Sequence, residues 1–172
     1  MEKRKALFLD RDGVICAELG RYRLLKDGFE LMPGIKSVIH AAKEHGYKVV
    51  VVTNQPQISK GLLSEVELHK LHNEMERLLD HELDAVYHCP HVDADNCDCR
   101  KPKAGMFRQA AQDLNIDCTQ SILVGDGDKD VLAGQAVGCK TIFVKNEFKA
   151  KYLANCSPDH IVQSPEEVLD LI

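Results

Sequence analysis

No apolar stretch in the 172-residue sequence reaches membrane-spanning length, so no bilayer-crossing helix is expected. Runs of lysine and arginine are missing, as is any basic stripe interleaved with aromatics. With 22 basic against 27 acidic residues and a net charge of −5, nucleic acid and anionic membrane surfaces are poor partners. Low-complexity tracts and internal repeats are absent, and 44% hydrophobic with 28% charged residues is the composition of an ordinary soluble protein rather than a disordered chain. The opening Met1-Glu2-Lys3-Arg4-Lys5 is basic but leads into a short apolar run that contains Asp10, which is not the pattern of a signal peptide. Seven cysteines without an export signal argue for a reducing compartment, where clustered thiols hold metal more often than they pair. The expectation is a cytoplasmic protein. Its length suffices for one sizeable core but not two, so a single domain over residues 1–172, acting as a monomer, is expected.

The residues that are present read as alternating strands and helices. An apolar run ends in Asp10-Arg11-Asp12-Gly13; residues 14–33 lack periodicity and read as a long loop over the end of that strand. Ile35, Val38, Ile39 and Ala42 have helical spacing, closed by Gly46. Tyr47 to Thr53 is β-branched and almost continuously apolar, as a strand covered on both faces should be. Ser64 and Glu67 form a capping-box pattern for a helix through Leu68, Leu71, Met75, Leu78 and Leu79. Asp84–His88 reads as a short strand, and Cys89–Lys103 as a polar, cysteine-rich loop. A helix over 104–114, a strand over 121–126, a helix over 129–137 and a strand over 140–144 follow. Ser164-Pro165 predicts the start of a final helix. Strands and helices alternating at this spacing predict an α/β fold of βαβ units, a Rossmann-like parallel sheet sandwiched by helices. Reactive groups in such sheets gather beyond the carboxyl ends of the strands, where Asp10, Thr53 and Asp126 fall.

On an extended segment residues two apart project to one side, so Asp10 and Asp12 can face the same small volume. Two carboxylates that close repel unless they share a cation, and Mg²⁺ is the hard, oxygen-seeking ion suited to that place. An acidic turn after a strand remains the plain alternative. A second cluster is self-contained: Cys89-x-His91, five residues, then Cys97-x-Cys99. Three thiols and an imidazole complete a tetrahedral Zn²⁺ set with no open position, so the site is structural rather than catalytic. It directly precedes Arg100-Lys101-Pro102, so a closed metal loop would fix where Lys101 points. Cys16, Cys118, Cys139 and Cys156 are scattered and read as packing residues.

Taken together, Asp10-Arg11-Asp12-Gly13, Thr53-Asn54, Lys101 and Gly125-Asp126-x-x-x-Asp130 resemble, in order and in strand position, the motifs of the haloacid dehalogenase superfamily of phosphatases. The resemblance covers the whole chain. It implies a covalent mechanism in which Asp10 is the nucleophile and Asp12 the general acid and base. Thr53 and Asn54 would contact the phosphoryl oxygens, and Lys101 would neutralise them. The Mg²⁺ site implied is Asp10, the carbonyl of Asp12 and Asp126, with Asp130 in support. The zinc loop, residues 89–99, narrows the resemblance to the heptose bisphosphate and histidinol-phosphate phosphatases. Asn54-Gln55 with Ile58-Ser59-Lys60-Gly61 is similar to the heptose type, whereas the short His91-to-Cys97 spacing is similar to the histidinol type. Gly127 departs from both, which commonly carry a basic residue there. The intervals Asp12–Thr53 and Asn54–Lys101 are already filled by predicted elements, so a capless fold is expected and substrate choice falls to loops. Arg23, Gln55, Lys60 and Arg100 are the candidates to bind a small phosphorylated metabolite, the three cations suiting a sugar bisphosphate.

Overall fold

The computed structural model describes residues 2–172. Six parallel strands form one sheet: β1 (Ala6–Leu9), β2 (Lys48–Asn54), β3 (Ala85–Cys89), β4 (Ile122–Gly125), β5 (Lys140–Val144) and β6 (His160–Val162), in the order β3-β2-β1-β4-β5-β6. The α-helices are α1 (Ile35–Glu44), α2 (Glu65–Leu78), α3 (Gly105–Asp113) and α4 (Asp128–Ala136). β1 therefore lies in the middle, hydrogen-bonded to β2 on one side and β4 on the other, with Phe8 opposite both Val50 and Leu123. The order reverses at β1, which places the crevice between strand ends there.

Successive side chains on these strands point to opposite faces, and both faces are covered. Leu7, Leu9, Val49, Val51 and Val124 pack with Ile35, Val38 and Ile39 of α1 and with Met75 of α2. Ala6, Phe8, Val50, Val52 and Leu123 pack against Met106, Phe107 and Ala110 of α3 and Ala133 of α4. The continuous apolar character of β2 thus reflects two buried faces rather than a helical segment. At the start of α2 the expected box is made: the Glu67 amide donates to Ser64 Oγ at 3.2 Å and the Ser64 amide donates to Glu67 Oε2 at 2.8 Å. α1, β2, β3, α3, β4, α4 and β5 lie within about two residues of their predicted positions, the usual scatter of element ends.

Two differences from expectation stand out near the C-terminus. The predicted final helix is a 3₁₀ segment, Pro165–Asp170, and Ser164 makes no side-chain cap bond. Six residues are too few to sustain an α-helix by propensity, and this one is held by burying Val168 beside α1. The edge strand β6 carried no sequence expectation; three residues long, with Ile161 half exposed, it has neither the length nor the apolar continuity of a buried strand. Residues 14–33 are a loop as expected, with a short 3₁₀ turn at Leu25–Asp27 and a return that pairs Cys16 with Leu31. No helix among the described residues is long and apolar enough to cross a membrane.

Candidate active site

Three neighbouring strand ends deliver the site. Asp10 follows β1 and its amide still donates to Val124 O at 3.0 Å, so the β1–β4 ladder sets where the carboxylate stands. Asp126 follows β4 directly, and Asp130 returns from the first turn of α4. One oxygen from each of Asp10, Asp126 and Asp130 falls within 4.8 Å of the others. Glycines make this crowding feasible. Gly13 has φ +89°, and a Cβ there would lie 1.9 Å from Asp126 Oδ2. At Gly125 a Cβ would meet the Asp130 side chain at 2.3 Å.

Lys101 reaches this cluster from the end of the cysteine loop. Its Nζ donates to Asp10 Oδ1 at 3.0 Å, to Asp130 Oδ1 at 2.5 Å and to Val52 O at 2.8 Å. Burial opposes its charge, but Asp10 and Asp130 outweigh burial and hold its pKa above the ordinary lysine value. Lys149, from the loop after β5, donates to Asp126 Oδ1 at 3.0 Å and to Glu18 Oε2 at 2.7 Å. Even so, burial and then repulsion from Asp130 raise the pKa of Asp10. Burial likewise raises Asp126 well above the carboxylate range, against the opposing pull of Lys149. Three buried carboxylates sharing two ammonium groups remain short of positive charge, and an all-oxygen donor set is what Mg²⁺ takes. The residues therefore fit a hard divalent cation.

Asp12 points elsewhere. Arg11 donates to its Oδ2 at 2.8 Å and Arg23 to its Oδ1 at 3.0 Å. Burial alone would raise the Asp12 pKa, but the two guanidinium groups bring it down to about 2. Arg11 is fully buried and also meets His72 Nε2 at 3.3 Å; burial and then Arg11 lower that imidazole to about 3, keeping it neutral beside the guanidinium.

Several expected substrate contacts are spent inside the protein. Arg23 was expected to grip a phosphate, yet it is 4% exposed, with Nη1 donating to Gly28 O, Nη2 to Ala17 O and Nε to Asp12. A guanidinium with every nitrogen engaged is part of the loop's framework. Asn54 was expected on the phosphoryl group, but both ends of its amide hold the Lys101 backbone: Nδ2 donates to Lys101 O at 3.1 Å and Lys101 N donates to Oδ1 at 3.0 Å. Gln55 is 1% exposed; its Nε2 donates to Thr53 Oγ1 at 2.8 Å, and its Oε1 accepts from Gln57. Thr53 Oγ1 accepts that bond and keeps its own proton to donate. Lys60, in contrast, is exposed, with Nζ 5.0 Å from the centre of the Tyr22 ring, a contact that joins the 55–63 and 14–33 loops. Arg100 donates from Nε to Asp93 at 2.7 Å and from Nη1 to His91 O at 3.2 Å. No sequence signal pointed to Arg11, His72, Glu18, Lys149 or Asn146, whose Nδ2 donates to Asp126 Oδ2 at 2.8 Å. Asn146 does lie just past the carboxyl end of β5, where the strand-end rule points. Glu18 sits in an aperiodic loop and carries no such signal.

The cysteine loop closes on itself as its spacing implied. Five of the six pairs among the sulfur and Nδ1 atoms of Cys89, His91, Cys97 and Cys99 lie 3.1 to 3.6 Å apart. A tetrahedron built on Zn–S bonds of ~2.3 Å has edges of roughly 3.7 Å, so the quartet fits a tetrahedral metal with slight contraction.

A carboxylate cluster and fixed lysine at the carboxyl ends of a parallel sheet define a hydrolase of the phosphoryl-transfer type. The chain belongs to the haloacid dehalogenase-like hydrolases, whose family model matches residues 2–138. It is 42% identical over 148 residues to the D-glycero-beta-D-manno-heptose-1,7-bisphosphate 7-phosphatase of Haemophilus ducreyi, covering 80% of this chain and 81% of that one. The enzyme of the same name from Helicobacter pylori is 36% identical, covering 100% and 99%. The Campylobacter jejuni D-glycero-alpha-D-manno-heptose-1,7-bisphosphate 7-phosphatase is 37% identical, covering 86% of each. Among solved structures, the D,D-heptose 1,7-bisphosphate phosphatase of B. bronchiseptica, complexed with magnesium and phosphate, superposes with a TM-score of 0.86 at 29% identity over 97% of both chains.

Proposed function

We propose that the chain is a Mg²⁺-dependent phosphomonoesterase that removes the C7 phosphate of D-glycero-D-manno-heptose 1,7-bisphosphate through an aspartyl-phosphate on Asp10. The observation that carries the chemistry is the convergence of Asp10, Asp126 and Asp130 beyond the ends of β1 and β4 with Lys101, which arrives from the loop after β3. The relatives named above carry the substrate.

Asp10 attacks phosphorus, and the bond from phosphorus to the sugar oxygen breaks as Asp12 gives that oxygen a proton. Water then attacks phosphorus, Asp12 takes the proton back, and the Asp10–phosphorus bond opens to release phosphate. Asp10, Asp126 and the Asp12 carbonyl, with Asp130 in support, would hold Mg²⁺, which would supply positive charge against the phosphoryl oxygens. Lys101 adds a fixed positive charge beside the nucleophile, and the Thr53 hydroxyl donates to a phosphoryl oxygen. In the Arg11–Arg23 clamp Asp12 is ionised, the form needed for the second, base, half of the cycle. An incoming phosphate dianion repels that carboxylate and raises its pKa, which favours the protonated form needed first.

Among the described residues no separate cap domain is present, so selectivity falls to the loops that carry Lys60, Tyr22 and Arg100. The zinc quartet is structural and orders the Arg100-Lys101 segment. The whole chain acts as one catalytic unit on a small phosphorylated sugar in the cytoplasm. Histidinol phosphate is the competing substrate, favoured only by the short His91–Cys97 spacing. Phosphate release is expected from the heptose bisphosphate; turnover of histidinol phosphate alone refutes the substrate. Asp10→Asn should abolish turnover while leaving thermal stability intact, and surviving activity would exclude the covalent route.

A further inference from the structure

Asp126 has no exposed surface, and both of its oxygens are taken. Asn146 Nδ2 donates to Oδ2 at 2.8 Å, and Lys149 Nζ donates to Oδ1 at 3.0 Å. The two donors belong to one turn, because Asn146 Oδ1 accepts the Lys149 amide at 3.0 Å and thereby fixes the root of the lysine. An ammonium and a divalent ion at the same carboxylate compete for its charge and repel each other. Oδ2 is held by a neutral amide, so the charged donor that an ion at Asp126 would meet is Lys149 on Oδ1.

The two lysines of the cluster are built differently. Lys101 is 3% exposed and held by Val52 O as well as by Asp10 and Asp130, so it has nowhere to go. Lys149 is 29% exposed and already shares its ammonium with Glu18 Oε2 at 2.7 Å, a side chain that is itself 9% exposed. Glu18 stands on the 14–33 loop, outside the carboxylate triad. Gly127 offers no side chain, and among the described residues the cations paired with the triad are these two long stems.

We infer that Lys149 is a built-in counter-ion for Asp126 which a divalent cation displaces, and that Glu18 is the acceptor that receives the displaced ammonium. In the metal-free protein the exchangeable ammonium keeps a fully buried carboxylate compensated, since an unpaired buried charge is strongly destabilising. Metal binding is then an exchange of cations, and Glu18 sets how readily it proceeds. This inference rests on the Mg²⁺ reading of the triad.

The test is calorimetric titration of MgCl₂ into the full chain, with the cysteine-bound metal retained and no substrate, at constant ionic strength near neutral pH. Lys149→Met is expected to bind Mg²⁺ about tenfold tighter, because a competitor and a like charge are removed. Glu18→Gln is expected to bind it about threefold weaker, because the displaced ammonium loses its acceptor. Mg²⁺ should also raise the melting temperature of Lys149→Met by more than that of the wild type. General damage lowers affinity in both variants, so the opposite signs are diagnostic. If Lys149→Met does not fold without Mg²⁺, Lys149→Gln and Glu18→Gln carry the same two signs. Unchanged or weaker binding by the Lys149 variant, with normal binding by the wild type, overturns the exchange alone. Absence of any Mg²⁺ binding by the wild type overturns the Mg²⁺ reading and the exchange with it.

Discussion

Asn54→Ala separates two roles that look alike in sequence. The side chain makes two hydrogen bonds, at 3.0 and 3.1 Å, to the backbone of Lys101, a residue 47 positions away. At roughly 1 kcal/mol net for each, their loss releases the Lys101 peptide by about 2 kcal/mol. If that free energy is drawn from the working position of the ammonium, kcat falls about 30-fold, at ~1.4 kcal/mol per decade. KM stays put, because both polar ends of the Asn54 side chain are bonded to the Lys101 backbone. Lys101→Ala removes the charge itself and should cost about 10³ in kcat. The decisive measurement is a double-mutant cycle in steady-state phosphate release. When one residue acts only through the other, the double variant is no slower than Lys101→Ala, leaving a coupling of about 2 kcal/mol. Additive losses, or a raised KM at unchanged kcat, would refute the positioning role and restore a direct phosphate contact. Thermal melts of the single variants check that the fold persists.

Further outcomes follow from the same geometry. Gly13→Ala should lose the melting-temperature gain from Mg²⁺ and about 10²-fold in turnover, since its Cβ would stand 1.9 Å from Asp126 Oδ2; a variant that behaves as wild type would show that this packing is not needed. Arg23→Gln tests the Asp12 clamp by pH. A carboxyl held at about 2 instead of 3.8 contributes stability that is present above pH 3.8 and lost as pH falls through about 2, so the urea-unfolding gap between wild type and variant should narrow by about 1 kcal/mol over that window. Parallel curves would mean that Arg23 acts only through the Ala17 and Gly28 carbonyls. Elemental analysis should find about one zinc per chain, and both chelation and Cys97→Ser should lower the melting temperature; a chain without zinc whose melting point ignores chelators would remove the site.

The order of strands and helices was legible because each element carries a local signal. β2 is a β-branched run, α2 opens on Ser64 and Glu67, and the cysteine loop has ligand spacing within eleven residues, 89–99. Locality explains the failures as well. The 3₁₀ segment at Pro165–Asp170 and the edge strand β6 are short, and tertiary contacts rather than propensity decide them. The sequence alone puts Asp10, Thr53 and Asp126 on one edge of the molecule, because a parallel sheet with right-handed crossovers brings the carboxyl ends of its strands together.

Residue type and spacing by themselves determined the fold class, the strand ends that carry carboxylates, and the four side chains that can hold a tetrahedral metal. Only the tertiary structure decided what each polar group faces. Arg23 and Asn54 have the chemistry to bind phosphate, yet one clamps Asp12 and the other clamps Lys101. Lys149, remote in sequence from both Glu18 and Asp126, joins them at the edge of the cluster. The physical reason is that hydrogen-bond and charge partners are chosen by proximity in space, and a donor's chemistry does not reveal which of several distant acceptors the packed backbone will bring to it.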